Sequence, residues 1–469
     1  MIAVAYSTPF VACYDNDNDA WIPEMWANES LMILEESMVM SNLVHRDFEN
    51  EVSNFGDVVN TRRPAKFYSA RKTDSDSVVE QDATSANVQV PLNQHHYTTF
   101  IIKDGEGSKS FAELANVYLR PAMQSVGRGV DRSVVGQAHQ FLSAGPTKRV
   151  GGLGTSSASN VRQNIVAARE QLNVLNVPED EMRSLVVSAG MEADMLNTDL
   201  FVKVNESGEA AALRRAQIGN LFGFGIYAAN NVPSASTGDV ATGTVTNAAA
   251  AGATGSQTVS IAGYEATIGE WFVVAGNDQP VYATAVTAST NTTALTANEA
   301  NKNATTAGAA VTLFKKCQAK GAYAAGYSKE ILIDGFTVAP TAGRMIATGT
   351  GATRKIYTII ESRPGPSSDH YILLDRPLES AIADDDNLFP GPTGDLNLAF
   401  HRNALALVTR PLALPNTALG VSSAVADMGG LSIRVTMQYD SVKQGTRVTC
   451  DLLSGVALLD VNMACLLLG

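Results

Sequence analysis

The sequence predicts an α+β fold in which one long helix accompanies many short strands. Apolar residues recur at spacings of three and four from Leu119 through Val130 to Phe141, which is the pattern of an amphipathic helix. Strand-like segments between turn residues fill most of the chain after residue 234. At 469 residues the chain exceeds a single ordinary core, so two or three domains, or one domain with a large insertion, are expected.

Charge and cysteine content argue against a nucleic-acid-binding protein and against a zinc-binding one. The formal net charge is -13, whereas binding to nucleic acid by phosphate neutralisation needs clustered Lys and Arg. No segment near the start resembles a signal peptide, and the cysteines lack the paired spacing of a zinc site. We expect reduced, mostly buried thiols in a protein made in a cytoplasm. The cysteines are Cys13, Cys317, Cys450 and Cys465.

The first hundred residues predict segments that dock on other structures. Residues 23–45 predict an amphipathic helix in an N-terminal arm. In residues 61–103, two β-prone limbs flank a polar tip, and such a long excursion cannot bury its own surface. The first limb and tip carry a basic cluster, which we expect to pair with acidic patches of a neighbouring subunit; a solvated basic turn is the alternative. The cluster consists of Arg62, Arg63, Lys66, Arg71 and Lys72.

The long helix covers residues 119–144. Pro121 is tolerated in its first turn, and the Gly145-Pro146 pair ends it. A second helix is predicted over residues 160–175 and a buried strand from Ser184.

The composition changes sharply in the middle of the chain. From residue 216 to residue 301 there is no Lys or Arg, and Ala, Thr, Gly and Ser dominate. Segments such as QTVSIAG, EWFVVAG and VYATAVTA alternate apolar and polar residues, which favours an all-β module over disorder.

The last seventy residues predict the strands of a core. Residues 404–408 form a continuous apolar run, as in a strand covered on both faces, and residues 431–440 alternate as in a half-buried strand. A partner strand is predicted over 447–453 and a last strand over 461–465. The C-terminal apolar segment is interpreted as a buried β-hairpin, because Asp460 in its middle would be costly in lipid.

The histidines of the chain do not predict a catalytic or metal site. His95 and His96 are neighbours in a strand, so their rings point to opposite faces and lack the spacing of a zinc motif. His401 and Arg402 are opposed in the same way. We expect one of this second pair to cap the sheet edge and the other to pair with a carboxylate.

Three loops that are similar to ligand-binding motifs lack required features. Residues 15–19 begin like a calcium loop, but Ala20 stands where Gly is needed and Trp26 where Glu is needed. Residues 384–386 predict a solvated acidic turn, with a surface cation between subunits as the alternative. Residues 105–110 lack the spacing of a phosphate loop. No cofactor is predicted, and the chain is not expected to be an enzyme.

Three motifs together resemble the major capsid, or coat, proteins of tailed bacteriophages. They are IGNLFGFGIYAANNVP at 218–233, FHRNALALVTRPLALP at 400–415 and LSIRVTMQYD at 431–440. The chain is similar in particular to coat proteins of short-tailed phages that carry an extra β-domain inside the Hong Kong 97 fold. The resemblance covers nearly the whole chain in order.

The resemblance implies an organisation into consecutive parts. These are an N-terminal arm (1–60), an extended β-hairpin loop (61–103), a spine helix with its connecting loop (104–159), the first part of the axial and peripheral domains (160–233), an inserted β-rich domain (234–398), and the second part of the axial and peripheral domains (399–469).

The resemblance also implies a function and partners. Hexamers and pentamers of the chain would form the icosahedral head of a virion, assembled in the host cytoplasm around double-stranded DNA that is enclosed without sequence-specific binding. A separate scaffolding protein, a portal protein and, in some phages, a decoration protein are the implied partners; no membrane is. A nanocompartment shell of the encapsulin kind is the alternative, and a metal-dependent enzyme is a further one; the inserted segment argues against the first.

Overall fold

The computed structural model shows a mixed fold that consists mostly of strands, with few helices. No helix in the described part of the chain is long and apolar enough to cross a membrane. The residues that the structure describes are 27, 30, 38–46, 58–62, 69, 71–72, 74, 77, 80, 87–103, 118–143, 148–153, 160–198, 220–232, 239–253, 256–261, 264–289, 292–337, 339–392, 394–410, 412–415, 421–428 and 431–469.

The longest helix of the described residues buries one face against a sheet. Pro121 fits its first turn, where the backbone amides have no acceptor within the helix. Its buried face includes Met123, Val126, Val130 and Val134. The helices whose bounds are defined are α1 (Met40–Leu43), α2 (Arg120–Gly136), α3 (Ala138–Ser143), α4 (Val161–Val174) and α5 (Ala189–Leu196).

Two predicted helices are interrupted. The long helix breaks at Gln137, whose backbone amide donates to the carbonyl of Val134 in a tighter turn before α3 begins. In the arm, Met38 and Val39 are not helical, and α1 begins only at Met40. The break at Gln137 coincides with a side-chain hydrogen bond to Asp375, whereas the carbonyls of Met38 and Val39 accept hydrogen bonds from the nearby Asn42.

The strands before the central region supply a ribbon and parts of two sheets. Among the described strands, β1 and β2 pair only with each other, antiparallel, with Val59 opposite Val90. These two valines pack on Ala406 and Val408. The strands are β1 (Val58–Arg62), β2 (Asn87–Pro91), β3 (Gln94–Lys103), β4 (Arg149–Gly151), β5 (Arg183–Val187), β6 (Asn220–Leu221) and β7 (Phe224–Ala228).

The central region forms two closed antiparallel barrels of six strands rather than one module. The first barrel contains β8 (Val240–Val245), β9 (Ser256–Ile261), β10 (Trp271–Val274), β11 (Val281–Ser289), β12 (Thr292–Ala297) and β13 (Ala310–Phe314). The second contains β14 (Cys317–Ala319), β15 (Ile331–Asp334), β16 (Met345–Thr348), β17 (Lys355–Pro364), β18 (His370–Leu374) and β19 (Asn387–Pro390). Each barrel has its own apolar interior, and closure leaves neither with an open edge.

The last strands complete two open sheets. They are β20 (Leu396–His401), β21 (Leu405–Arg410), β22 (Val421–Met428), β23 (Leu431–Asp440), β24 (Gly445–Leu458) and β25 (Ala464–Leu468). One sheet has the order β4-β25-β20-β5-β7-β6. In the other, β24 pairs with β23 and β21 along one side and with β3 along the opposite side, while β22 lies beyond β23.

Three parts of the chain form the main core. α2 packs on β3 and β24 of the five-stranded sheet, and Met123 and Val130 share one apolar cluster with Ile433 and Leu452. α4 covers the other sheet, where Ile165 lies in a second cluster. The apolar run 404–408 is fully buried, as its lack of alternation predicted.

Two strand predictions differ from the structure. β3 leaves the ribbon and pairs with β24 over its whole length, since the long edge of β24 offers ten residues of backbone partners. The C-terminal segment is not a hairpin. Asp460 accepts a hydrogen bond from the amide of Asn462, residues 461–463 form a 3-10 turn, and β25 then enters the other sheet between β20 and β4.

Candidate functional site

The adjacent histidines of β3 lie on opposite faces of the strand. The His95 ring is half-exposed and lies 3.4 Å from a carboxylate oxygen of Asp451. His96 faces Gly129 of α2, and burial lowers the pKa of its imidazole to about 4. Across the described ranges, no group of three or more His, Cys, Asp or Glu residues is arranged to hold a metal ion.

His401 serves as a structural cap at the end of β20. Its Nδ1 accepts a hydrogen bond from the amide of Asn403, so the proton sits on Nε2, which donates to Asp180 across 3.0 Å. This hydrogen bond holds the pKa of the Asp180 carboxyl below its usual range. Arg402 begins a 3-10 turn instead of continuing the strand. His401 therefore has both of the roles that were expected to be divided between the pair. Together with the Arg402 amide, which donates to the carbonyl of Met182, it ties β20 to the loop before β5.

The described cysteines are buried and chemically quiet. Cys317, Cys450 and Cys465 are free thiols inside the fold. Burial raises the pKa of Cys450 and of Cys465 to about 12, and it raises the pKa of Cys317 further. Since the thiolate is the reactive form, none of the three is suited to act as a nucleophile. Cys13 lies outside the described residues.

The basic cluster predicted as an inter-subunit contact is only partly described. Arg62 ends β1, with its backbone opposite Asn87 of β2. Arg71 and Lys72 are exposed. Arg63 and Lys66 lie outside the described residues.

Of the three loops similar to ligand-binding motifs, only the acidic turn 384–386 is described. Asp384 accepts a hydrogen bond from the amide of Gly321, and Asp386 accepts one from the amide of Ala383. These carboxylates therefore cap backbone amides of the second barrel. Residues 15–19 and 105–110 lie outside the described ranges.

A buried carboxylate of the long helix holds the arm. Asp131 Oδ1 accepts hydrogen bonds from the Ser41 amide, 3.0 Å away, and from the Ser41 hydroxyl, 3.2 Å away. Its Oδ2 accepts one from Asn231 Nδ2 at 3.0 Å. Burial raises the pKa of Asp131. A few residues on, the amide of His45 donates to the carbonyl of Leu405, so the arm also covers the edge of β21.

A second polar cluster joins the helices to the second barrel. Thr358 Oγ1 lies 2.8 Å from His139 Nδ1, and His139 Nε2 lies 2.8 Å from the carbonyl oxygen of Ile356. Because a carbonyl only accepts, Nε2 carries the proton. The Thr358 hydroxyl also donates to the carbonyl of Gly136 across 3.1 Å. Gln137 and Thr358 both donate to the buried carboxylate of Asp375.

Sequence reasoning missed both buried clusters. Asp131, Gln137 and His139 stand out as polar residues on an otherwise apolar helix face, which was the available signal. Their partners lie 90 to 238 residues away along the chain, so spacing alone did not identify them.

Comparison with known proteins gives a likeness of fold. No protein-family model matches the chain, and no curated protein matches its sequence. A solved structure from Mycobacterium phage Che8 is 14% identical with a TM-score of 0.43, over 92% of this chain and 90% of that one. The capsid of cyanophage P-SCSP1u is 10% identical with a TM-score of 0.41, over 88% and 84%. The capsid of Myoviridae phage XM1 is 11% identical with a TM-score of 0.33, over 94% and 92%. The solved structures named here all come from phages, and their similarity to this chain is low.

Proposed function

We propose that this chain is a major capsid protein, many copies of which close into the icosahedral head around the double-stranded DNA of a tailed phage. The observation that carries the proposal is the ribbon of β1 and β2. Its base is anchored on the core through Val59 and Val90, whereas every described residue of its tip is exposed. Those tip residues are Ser69, Arg71, Lys72, Asp74, Ser77 and Glu80.

An anchored ribbon with an exposed polar tip is suited to reach a neighbouring subunit. A two-stranded ribbon is marginal by itself, so one that extends from a packed core is expected to gain its outer contacts from another molecule. The chain is acidic overall, which gives basic residues of the tip acidic surfaces to meet on the next copy. Many such contacts per subunit add up to a shell that withstands pressure even when each is weak.

The Hong Kong 97 arrangement assigns a role to each part of the chain. In this proposal the ribbon is the extended loop, α2 with α3 is the spine helix, and the two open sheets form the peripheral and axial domains. The two barrels are the inserted domain, and the segment around Ser41 is the end of the N-terminal arm. Two further features support this map: α2 lies along the sheet that β3 joins, and the arm is held on α2 by Asp131.

The proposed assembly places the protein in the virion, with shell formation in the host cytoplasm. A separate scaffolding protein would guide the assembly of hexamers and pentamers of the chain, and a portal protein would occupy one vertex. A decoration protein would bind to the barrels. The net charge of -13 is consistent with an inner wall that lets packaged DNA slide rather than bind.

Co-expression with a candidate scaffolding protein tests the proposal. The full chain is produced with and without scaffold, and the products are examined by sedimentation and negative-stain electron microscopy. Closed shells of uniform size are the expected result. A monomer or small oligomer in the presence of scaffold would contradict the capsid function, provided that circular dichroism shows the chain to be folded.

A further inference from the structure

A cavity of about 410 Å³ lies where the helical core and both barrels meet. α3 forms one wall through His139, the first barrel contributes Trp271 and Tyr282, and the second barrel contributes Arg354 and Arg376. The volume is within the range of sites that hold small molecules.

The lining of the cavity is more cationic than anionic, in a chain that is acidic overall. Among the described residues, two carboxylates line it. Glu299 pairs with Arg149, while Glu379 pairs with Lys355 at 2.7 Å and with Arg376 at 3.0 Å. Asp375 contacts Arg376 from within the second barrel and offsets one further charge. The cationic residues of the lining are Arg149, Arg354, Lys355 and Arg376.

Arg354 is the cationic residue of the lining that these three carboxylates do not offset. Its guanidinium lies 4.1 Å from the Tyr282 ring centroid and 4.9 Å from that of Trp271, and Nη1 donates to the carbonyl of Gly269. Within the described ranges it forms no ion pair with a carboxylate, and its Nε and Nη2 have no hydrogen-bond partner. Burial lowers its pKa to about 10. These two nitrogens are inaccessible to solvent, so Arg354 offers the cavity its positive charge, which is costly to bury without a counter-charge.

A second arginine of the lining is buried as well. Arg149 is almost fully buried, with its guanidinium between Glu299 and the carbonyl of Pro280, and its Nε is also without a partner in the described structure. The ammonium of Lys302 donates to the backbone carbonyl of Arg149, which adds a further positive charge nearby. Burial lowers the pKa of Arg149 to about 10 as well.

We propose that this cavity binds a tetrahedral oxyanion of the phosphate class, attracted by the positive charge of Arg354 and of the neighbouring cationic residues of the lining. A phosphate oxyanion would offset the Arg354 guanidinium, which the nearby carboxylates leave uncompensated, together with the neighbouring Lys302 ammonium. The residues come from β4 and from both barrels, so the bound anion would fasten the barrels to the core and stabilise the folded chain. The inference does not depend on the capsid function.

Trp271 provides a local reporter for the test. The chain has three tryptophans, so replacing Trp21 and Trp26 by Phe leaves Trp271 as the sole source of indole fluorescence. This full-length variant is titrated with inorganic phosphate against sodium chloride at matched ionic strength, and equilibrium dialysis with radiolabelled phosphate gives the stoichiometry. Saturable uptake of one phosphate per chain with a parallel change in Trp271 emission is expected. No saturable uptake, or uptake without a Trp271 response, would overturn the proposal.

Two arginine variants locate the site. Arg354→Gln should lower phosphate affinity by at least about tenfold, because it removes the positive charge that the nearby carboxylates do not offset. Arg363→Gln is the matched control: Arg363 also stacks on a tyrosine, Tyr371, of the second barrel, but it is half-exposed, pairs with Glu330 and lies outside the cavity. Unchanged binding by a folded Arg354→Gln variant would overturn the proposal. If that variant does not fold, the Trp271 titration and the dialysis of the chain with its arginines intact determine whether the cavity binds phosphate.

Discussion

Gln137 donates a hydrogen bond from Nε2 to Oδ2 of Asp375 across 3.0 Å, and this bond joins the end of α2 to the second barrel. The same carboxylate accepts from the amide of Thr358 and from Arg376, while the Gln94 side chain donates to the Asp375 backbone carbonyl. The cluster is buried, so its hydrogen bonds are not exchanged for water at low cost. The placement of the barrel on the helix therefore rests on a small number of polar contacts.

Gly136 permits this close approach, and Gly136→Ala is expected to destabilise the chain by about 1–3 kcal/mol. A β-carbon at this position would lie 2.9 Å from Cβ of Asp375 and 3.3 Å from Cβ of Thr358. Helix propensity alone would instead favour Ala over Gly by about 1 kcal/mol. The two effects have opposite signs, so urea unfolding monitored by circular dichroism distinguishes them.

Ser125→Ala provides the control for that substitution. Ser125 lies on the exposed side of α2, away from the barrel cluster, so its replacement reports helix propensity without steric conflict. It should leave stability unchanged or raise it slightly. A Gly136→Ala variant that is more stable than the natural chain would show that the barrel does not press on the helix as described.

His139 is expected to make the folded chain sensitive to acid. Burial and the nearby Arg376 lower its pKa to about 3 from a usual value of 6.5, so the folded chain keeps the ring neutral where the unfolded chain protonates it. The stability linked to this ring is present above pH 6.5 and is lost as the pH falls toward 3, at up to about 1.4 kcal/mol per pH unit. His139→Gln should reduce the slope of unfolding free energy against pH by about one proton in this window.

Gln140→Ala separates proton linkage from a general loss of stability. Gln140 is the next residue of α3 and hydrogen-bonds Gln137, but it does not titrate. Its replacement should lower stability by a similar amount at every pH between 4 and 7. An unchanged slope in the His139→Gln variant would show that other groups cause the acid sensitivity.

Asp131→Ala is expected to cost about 2–4 kcal/mol, because it leaves three donors without an acceptor. Two of these are the amide and hydroxyl of Ser41, and the third is Asn231 Nδ2. Asp131→Asn keeps an oxygen for Ser41 and removes a buried charge, so it should cost clearly less. Urea unfolding gives the free energies, and limited proteolysis near Ser41 should be faster only in the Ala variant. Equal losses in the two variants would argue against Asp131 as the anchor of the arm.

Local sequence patterns predicted the helices and strands whose buried residues recur at a regular spacing. The spacing from Leu119 to Phe141 identified α2 and α3, and the alternation in 431–440 identified β23. The break at Gln137 was not predictable, since its partner Asp375 is 238 residues away. The pairing of β3 was not predictable either. It depends on the long side of β24, which offers ten residues of backbone partners, and not on the sequence of β3.

The placement of side chains was predictable only for residues that are adjacent in one strand. The strand geometry of His95 and His96 follows from their adjacency, and the opposite faces are observed. The cavity beside Arg354 gave no sequence signal, because its cationic and aromatic walls come from a sheet strand and two barrels. Only the tertiary structure brings these residues together.

Reversal of charge at the ribbon tip tests how copies of the chain meet. Arg71 and Lys72 are exposed and belong to a tip with no strand partner beyond the ribbon in the described structure. The double variant Arg71→Glu/Lys72→Glu should keep the unfolding midpoint within about 0.5 kcal/mol of the natural chain, since surface positions contribute little to folding. It should nevertheless lower the yield of closed shells several-fold, because basic groups that met an acidic neighbour would now repel it. The double variant Arg71→Lys/Lys72→Arg keeps both charges and should assemble normally.

In the natural chain, assembly should also weaken as salt is raised, since exposed charge pairs are screened beyond about 8 Å at physiological ionic strength. Normal shell yield from the Glu variant would mean that these two residues stay in solvent and that the ribbon binds its neighbour through other side chains.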